Sequence, residues 1–221
     1  MGNAVAFVRM IEAAGAGYLL GTVPCADTVA RLASGGSTDL RQEGSRNPGA
    51  VNAMAVLCRG WGWSILFADI AKGALACQAG ARLGGQLGAH VAGTAGVAGH
   101  CWPVWKHFRG GKGVAVSLGQ CLATFPAYVP VDLGVSWAVG RWKGRALPGT
   151  VAGSMTWVAA CALWWRKGWA NPWGPGKGGS GVGLPIAAAA SSAVIISRFI
   201  SAAHDGRQPL DRHQSPDVVE Q

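Results

Sequence analysis

Gly99-His100-Cys101-Trp102-Pro103-Val104-Trp105-Lys106-His107-Phe108-Arg109-Gly110-Gly111-Lys112-Gly113-Val114-Ala115 is the stretch on which the fold is read. An apolar segment ends at His100, a short basic loop follows, and three glycines surround Lys112 before a second apolar segment begins. Glycines without Cβ let a backbone approach a ligand and present its N–H groups, as phosphate-cradling loops do. Lys112 adds a mobile cation, and a helix starting here would turn its positive dipole end toward the same place. The stretch is therefore a candidate anion site at a membrane surface. Its spacing is not that of a Walker loop, Gly-x-x-x-x-Gly-Lys-Ser/Thr, so nucleotide hydrolysis is not read from it.

The same alternation of apolar run and short basic loop continues on both sides. Half of the 221 residues are hydrophobic and only 13% are charged, against about 25% in soluble domains. That pattern predicts an all-α, polytopic integral membrane protein. Thirty-five glycines suit close helix–helix contact in a bilayer, and many of the eleven tryptophans fall near run ends, where indoles favour the interface. The net charge of +9 sits in the loops, where topology and anionic lipid headgroups explain it better than nucleic acid does. The six cysteines form no C-x-x-C pair, so neither a zinc site nor a disulfide framework is expected, and no metal or cofactor is implied.

Taken in order, the runs give about seven transmembrane helices within a single domain, 1–203, followed by a polar tail, 204–221. Span one, 3–23, carries Arg9 and Glu12 at i,i+3, close enough to neutralise each other in part. Residues 25–52 are the longest polar stretch and read, by composition, as a loop rich in turn formers. Span two, 53–81, exceeds the roughly 20 residues a bilayer needs, so it tilts or begins as an interfacial helix. It contains Asp69 and Lys72, again at i,i+3, as either a structural clamp or part of a site. Span three, 83–104, holds His90, read as a satisfied packing histidine, and His100, which lies at the same end as Lys112. Runs 114–125 and 127–139, broken by Pro126, are either two short spans or one kinked helix plus an interfacial piece, and spans six and seven cover 147–165 and 182–203.

Counting Lys and Arg in the loops gives eleven on one side and four on the other. The richer side is expected to be cytoplasmic. This brings the 39–52 loop, His100 and the Gly-Lys loop to one face, where two distant glycine-rich loops converge.

With those residues in place, the chain resembles the bacterial acyl-phosphate:glycerol-3-phosphate acyltransferases, the PlsY family. Asp39-Leu40-Arg41 followed by Gly44-Ser45-Arg46-Asn47-Pro48-Gly49-Ala50-Val51-Asn52 is similar to the family's D-x-R…GSGN-x-GA-x-N. Asp69-Ile70-Ala71-Lys72-Gly73 is similar to its D-x-x-KG, and Gly99-His100…Pro103…Phe108-Arg109-Gly110-Gly111-Lys112-Gly113-Val114-Ala115 to its GH-x-x-P…F-x-GGKGVA. The resemblance implies acyl transfer from an acyl phosphate to glycerol 3-phosphate at the cytoplasmic face of a bacterial inner membrane, giving lysophosphatidic acid. It implies Lys112, His100 and Asn52 as catalytic residues. Substrate would be held by Arg41, Ser45, Arg46, Asn47, Gly49, Gly110, Gly111 and Gly113. Partners would be the two substrates and membrane lipids. An acyl phosphate is already activated, so positioning and charge stabilisation could supply much of the rate without a Ser-His-Asp triad.

The second half departs from the family pattern. Arg46 replaces the second glycine of GSGN, and Ala55 stands where the family usually has arginine. The serine motif before span six is reduced to 145–151, and the final H-x-x-N-x-x-R falls on Ser192, Ile195 and Arg198. An alternative reading is thus a pseudoenzyme or accessory subunit of a larger membrane complex. Another is an acyltransferase for a different phosphorylated acceptor.

Overall fold

The structure, a computed structural model, describes residues 2–172, 174–175 and 181–204. The tail beyond 204 and Lys177 of the charge count lie outside the described residues. Eight helices follow in order: α1 Gly2–Gly21, α2 Cys25–Ser34, α3 Ala50–Val56, α4 Arg59–Cys101, α5 Val114–Thr124, α6 Val129–Lys143, α7 Ala146–Arg166 and α8 Gly183–His204. Helix α4 is a hairpin rather than one rod. Gly84 and Gly85 leave helical geometry between its arms, 59–83 and 86–101. Gly85 has φ +62°, a conformation that a Cβ disfavours.

Small residues set the packing. The two arms of α4 touch where Gly80 faces Gly88, and a methyl group at either would strike the other's carbonyl oxygen. Helix α1 runs parallel to the second arm, with Gly17 against the Ala92 carbonyl and Gly21 against that of Gly96. Helix α5 crosses the first arm where Gly119 meets the Ile70 carbonyl. These approaches allow van der Waals contact between backbones, which drives helix association where lipid tails are as apolar as leucine. A buried polar set ties the second arm, α5 and α8 together. Ser191 Oγ donates to Gln120 Oε1 at 2.8 Å, and Gln120 Nε2 donates to Thr94 Oγ1 at 3.4 Å.

Seven long helical segments result: α1, the two arms of α4, and α5 to α8. Among the described residues, three stretches are long and apolar enough to cross a membrane by themselves: Asn3–Ser34, Ala146–Arg166 and Gly183–Ala203. The arms of α4 are diluted by glycine and by the buried Asp69 and Lys72. Helices α5 and α6, of 11 and 15 residues, are shorter than the usual ~20.

Four sequence expectations change. Residues 25–34 form α2 rather than loop, because Ala26 and Ala30, one turn apart, both bury against the bundle. Arg9 and Glu12 are both exposed, and among the described residues neither makes an ion pair. His90 is buried, and among the described residues neither ring nitrogen has a hydrogen-bond partner. Span two also divides at Leu57–Cys58, so that α3 stands apart and Arg59 begins α4.

Candidate functional site

The first loop of the site is built on Asn52, in α3. Its Oδ1 accepts the Ser45 backbone N–H at 2.7 Å, and its Nδ2 donates to the Leu40 and Glu43 carbonyls at 3.0 Å each. The side chain is 1% exposed, and these bonds occupy the amide. It braces the loop. Gly44 lies directly against this amide at φ +57°, so glycine is required there by both space and backbone. Arg46 also has positive φ, +55°, where glycine is favoured, and its side chain is exposed.

The second loop docks on the end of α1. Tyr18 Oη donates to the Trp102 carbonyl at 2.7 Å, and Trp105 Nε1 donates to Thr22 Oγ1 at 2.9 Å. The chain then doubles back. Gly110 N–H donates to Cys101 O at 3.1 Å and Gly111 N–H to His100 O at 3.2 Å. From α8, Arg198 Nε and Nη2 donate to the Gly111 and Gly110 carbonyls at 3.2 and 3.0 Å. This corrects the reading of a backbone cradle. The amides of Gly110 and Gly111 are spent on the loop itself, and the glycines serve close packing: a Cβ at Gly111 would run into the His100 imidazole. Gly113, at φ +86°, starts α5 against Val97 and Ile195.

Between the loops lies a recess lined by Asp27, Arg41, Asp69, Lys72, His100 and Lys106, with Pro48, Gly110 and Gly111 at its edge. Asp69 and Lys72 form a buried ion pair at 2.9 Å, and Lys72 also donates to the Val23 carbonyl at 3.0 Å. His100 Nδ1 stands 3.7 Å from the same Asp69 oxygen. Asp27 pairs with Arg41 and, at 3.0 Å, with Lys106; Arg41 Nε also donates to the Arg109 carbonyl at 3.2 Å. The recess is thus cationic through side chains rather than through backbone amides. Such groups can hold a phosphate or steady the charge that develops on it.

Of the residues nominated from sequence, Arg41, His100, Gly110 and Gly111 meet in the recess, whereas Ser45, Arg46, Asn47 and Gly49 are not among its lining residues, although Pro48 between them is. Lys112 does not line it. Its ammonium lies 4.4 Å from the centre of the Phe199 ring, and burial together with the nearby Arg198 lowers its pKa from the ordinary lysine value. Asp69 and Lys72, read from sequence as either a clamp or part of a site, line the recess. Asp27 and Lys106 join it without a sequence signal of their own, and Arg198 joins the site from α8. For Asp69 and Lys72 the signal was present as an i,i+3 pair inside an apolar run. Neither Arg59 nor Arg141 stands in for the arginine absent at Ala55: both are exposed and outside the recess.

The family model described as glycerol-3-phosphate acyltransferase matches residues 11–205. The chain is 34% identical over 150 residues to a glycerol-3-phosphate acyltransferase of Thermoanaerobacter pseudethanolicus, covering 68% of this chain and 75% of that one. A protein of the same name from Synechococcus is 36% identical over 168 residues, 76% of this chain and 80% of the relative. Among solved structures, PlsY (YgiH), an integral membrane glycerol 3-phosphate acyltransferase in its glycerol 3-phosphate form, aligns with a TM-score of 0.67. That alignment has 27% identity and covers 93% of this chain and 94% of that one. Its lysophosphatidic acid form aligns at 0.68 with 25% identity, over 91% and 94%. Fold, loop architecture and sequence agree, and the chain belongs to the glycerol-3-phosphate acyltransferase family of polytopic membrane proteins.

Proposed function

We propose that this protein transfers an acyl group from an acyl phosphate to glycerol 3-phosphate at the cytoplasmic face of a bacterial inner membrane, giving lysophosphatidic acid. The observation that carries this reading is the convergence of Arg41, Lys72, Lys106 and His100 on one recess between the two motif loops. The acceptor phosphate is held by the three cations Arg41, Lys72 and Lys106. The acyl phosphate is positioned so that the glycerol hydroxyl attacks its carbonyl carbon and inorganic phosphate leaves. His100, whose Nδ1 faces Asp69 across 3.7 Å, takes the hydroxyl proton. Lys112, which rests against Phe199 outside the recess, neutralises the leaving phosphate once its side chain swings toward it. No protein nucleophile is needed, because the mixed anhydride already carries the activation.

A second reading has its own observation. Ile195, where the family signature has asparagine, is 3% exposed in an apolar cluster with Val97, Cys101, Val116 and Phe199. The face of α8 nearest the Gly-Lys loop is therefore largely apolar apart from Arg198, as in a family member that has kept the fold and lost the reaction. Purified protein in lipid, given labelled glycerol 3-phosphate and either acyl phosphate or acyl-CoA, separates the two. Product from acyl phosphate alone, reduced at least tenfold in Lys112→Ala, is the expected result. No product from either donor, with the protein folded, moves the conclusion to the second reading.

A further inference from the structure

Five charged side chains line the recess, and they do not balance. Asp69 and Lys72 form one buried pair, which Val23 holds from the other side. Asp27 is left between two cations, with Oδ1 accepting from Arg41 and Oδ2 standing 3.0 Å from Lys106. The three side chains come from α2, the 39–49 loop and the 102–109 loop. They are only partly open to solvent, at 15%, 23% and 33% exposure for Asp27, Arg41 and Lys106. One carboxylate offers two oxygens and a single negative charge. A phosphate monoester offers three oxygens and between one and a half and two charges, roughly, at neutral pH. Two cations spaced to grip both oxygens of a carboxylate are also spaced to grip two oxygens of a phosphate.

We propose that Asp27 competes with the substrate phosphate for Arg41 and Lys106, and so sets how tightly the recess holds phosphate-bearing ligands. The inference rests on the reading of the recess as a phosphate site. Bound phosphate takes over both cations and is left beside a displaced carboxylate of like charge, which weakens the complex. That weakening has a use. Both substrates and both products of the proposed reaction carry phosphate, so a recess lined only by cations would retain product. Binding that is uniformly tight lowers KM without raising kcat. A carboxylate that merely positioned Arg41 and Lys106 would have the opposite effect on affinity, and the two roles therefore differ in sign.

The test is the dissociation constant of inorganic phosphate, measured by calorimetry on the full chain in nanodiscs, for wild type, Asp27→Asn and Asp27→Glu. Asp27→Asn is expected to bind phosphate about fivefold more tightly, the low end of a typical coupling between two ligands of one site. Asp27→Glu stays near wild type. In turnover, Asp27→Asn lowers KM for glycerol 3-phosphate without raising kcat. Unchanged or weaker binding by Asp27→Asn overturns the inference while leaving the recess a phosphate site. If Asp27→Asn does not fold, the double variant Asp27→Asn/Lys106→Gln, which removes one charge of each sign, serves instead. It is expected to bind no more weakly than wild type, and weaker binding overturns the inference. If wild type shows no phosphate binding and Arg41→Gln changes nothing, the phosphate-site reading fails and the inference fails with it.

Discussion

Asn52 shows how a motif residue can matter by holding a loop in place. Its amide answers one backbone N–H and two carbonyls of the 40–45 loop, the loop that carries Arg41 into the recess. In Asn52→Ala all three backbone groups lose their partner, and each such loss in a buried place costs about 1–3 kcal/mol. Part of the loop is half-exposed and water can answer some of it, so a net loss of about 3 kcal/mol is expected. Thermal denaturation in detergent should show a clear drop, and KM for glycerol 3-phosphate should rise because Arg41 is no longer held. Asn52→Asp keeps the acceptor for Ser45 but loses the donor, and should fall between. An Asn52→Ala protein as stable as wild type would remove the bracing role.

At the scale of elements, glycine does two separable things. At Gly85 there is open space around the position a Cβ would take, so only φ +62° demands glycine. At Gly80, in helical geometry, the demand is space, because the Gly88 carbonyl is in the way. Gly85→Ala should therefore cost about 1–2 kcal/mol through backbone strain alone. Gly80→Ala should cost more, because two arms of a hairpin must move apart. Comparable denaturation midpoints for the two variants would contradict this separation. The sequence made the long runs, the Pro126 break and the convergence of the two motif loops legible, because each has a local period or a strong breaker. It did not reveal α2, whose ten residues bury only a narrow alanine stripe. Nor did it reveal Asp27 with Arg41 and Lys106: that contact joins residues far apart in the chain and leaves no spacing to read. The use of the Gly110 and Gly111 amides is hidden for a related reason, since a Gly-Gly-Lys-Gly string does not show that the Cys101 and His100 carbonyls already take them.

The whole molecule has an orientation that its loops can report. The recess, the start of α4, the α6–α7 turn and the end of α8 share one face, and the α4 hairpin turn lies on the other. Leaving out Arg207, Arg212 and Lys177, which lie outside the described residues, nine Lys and Arg of the original count remain on the recess face against three opposite. Arg59, freed from the membrane run by the break before α4, adds to the richer face. By the positive-inside rule the recess is expected to face the cytoplasm, where the proposed acceptor, a soluble glycerol 3-phosphate, would be met. Cys58 is a native reporter, being the one exposed cysteine among the described residues. A membrane-impermeant maleimide should label Cys58 in inverted vesicles and not in right-side-out ones. Cys58→Ala/Arg82→Cys, with its new thiol by the hairpin turn, should show the reverse. Labelling of Cys58 from the outer side would invert the topology and place the recess where cytoplasmic glycerol 3-phosphate could not reach it.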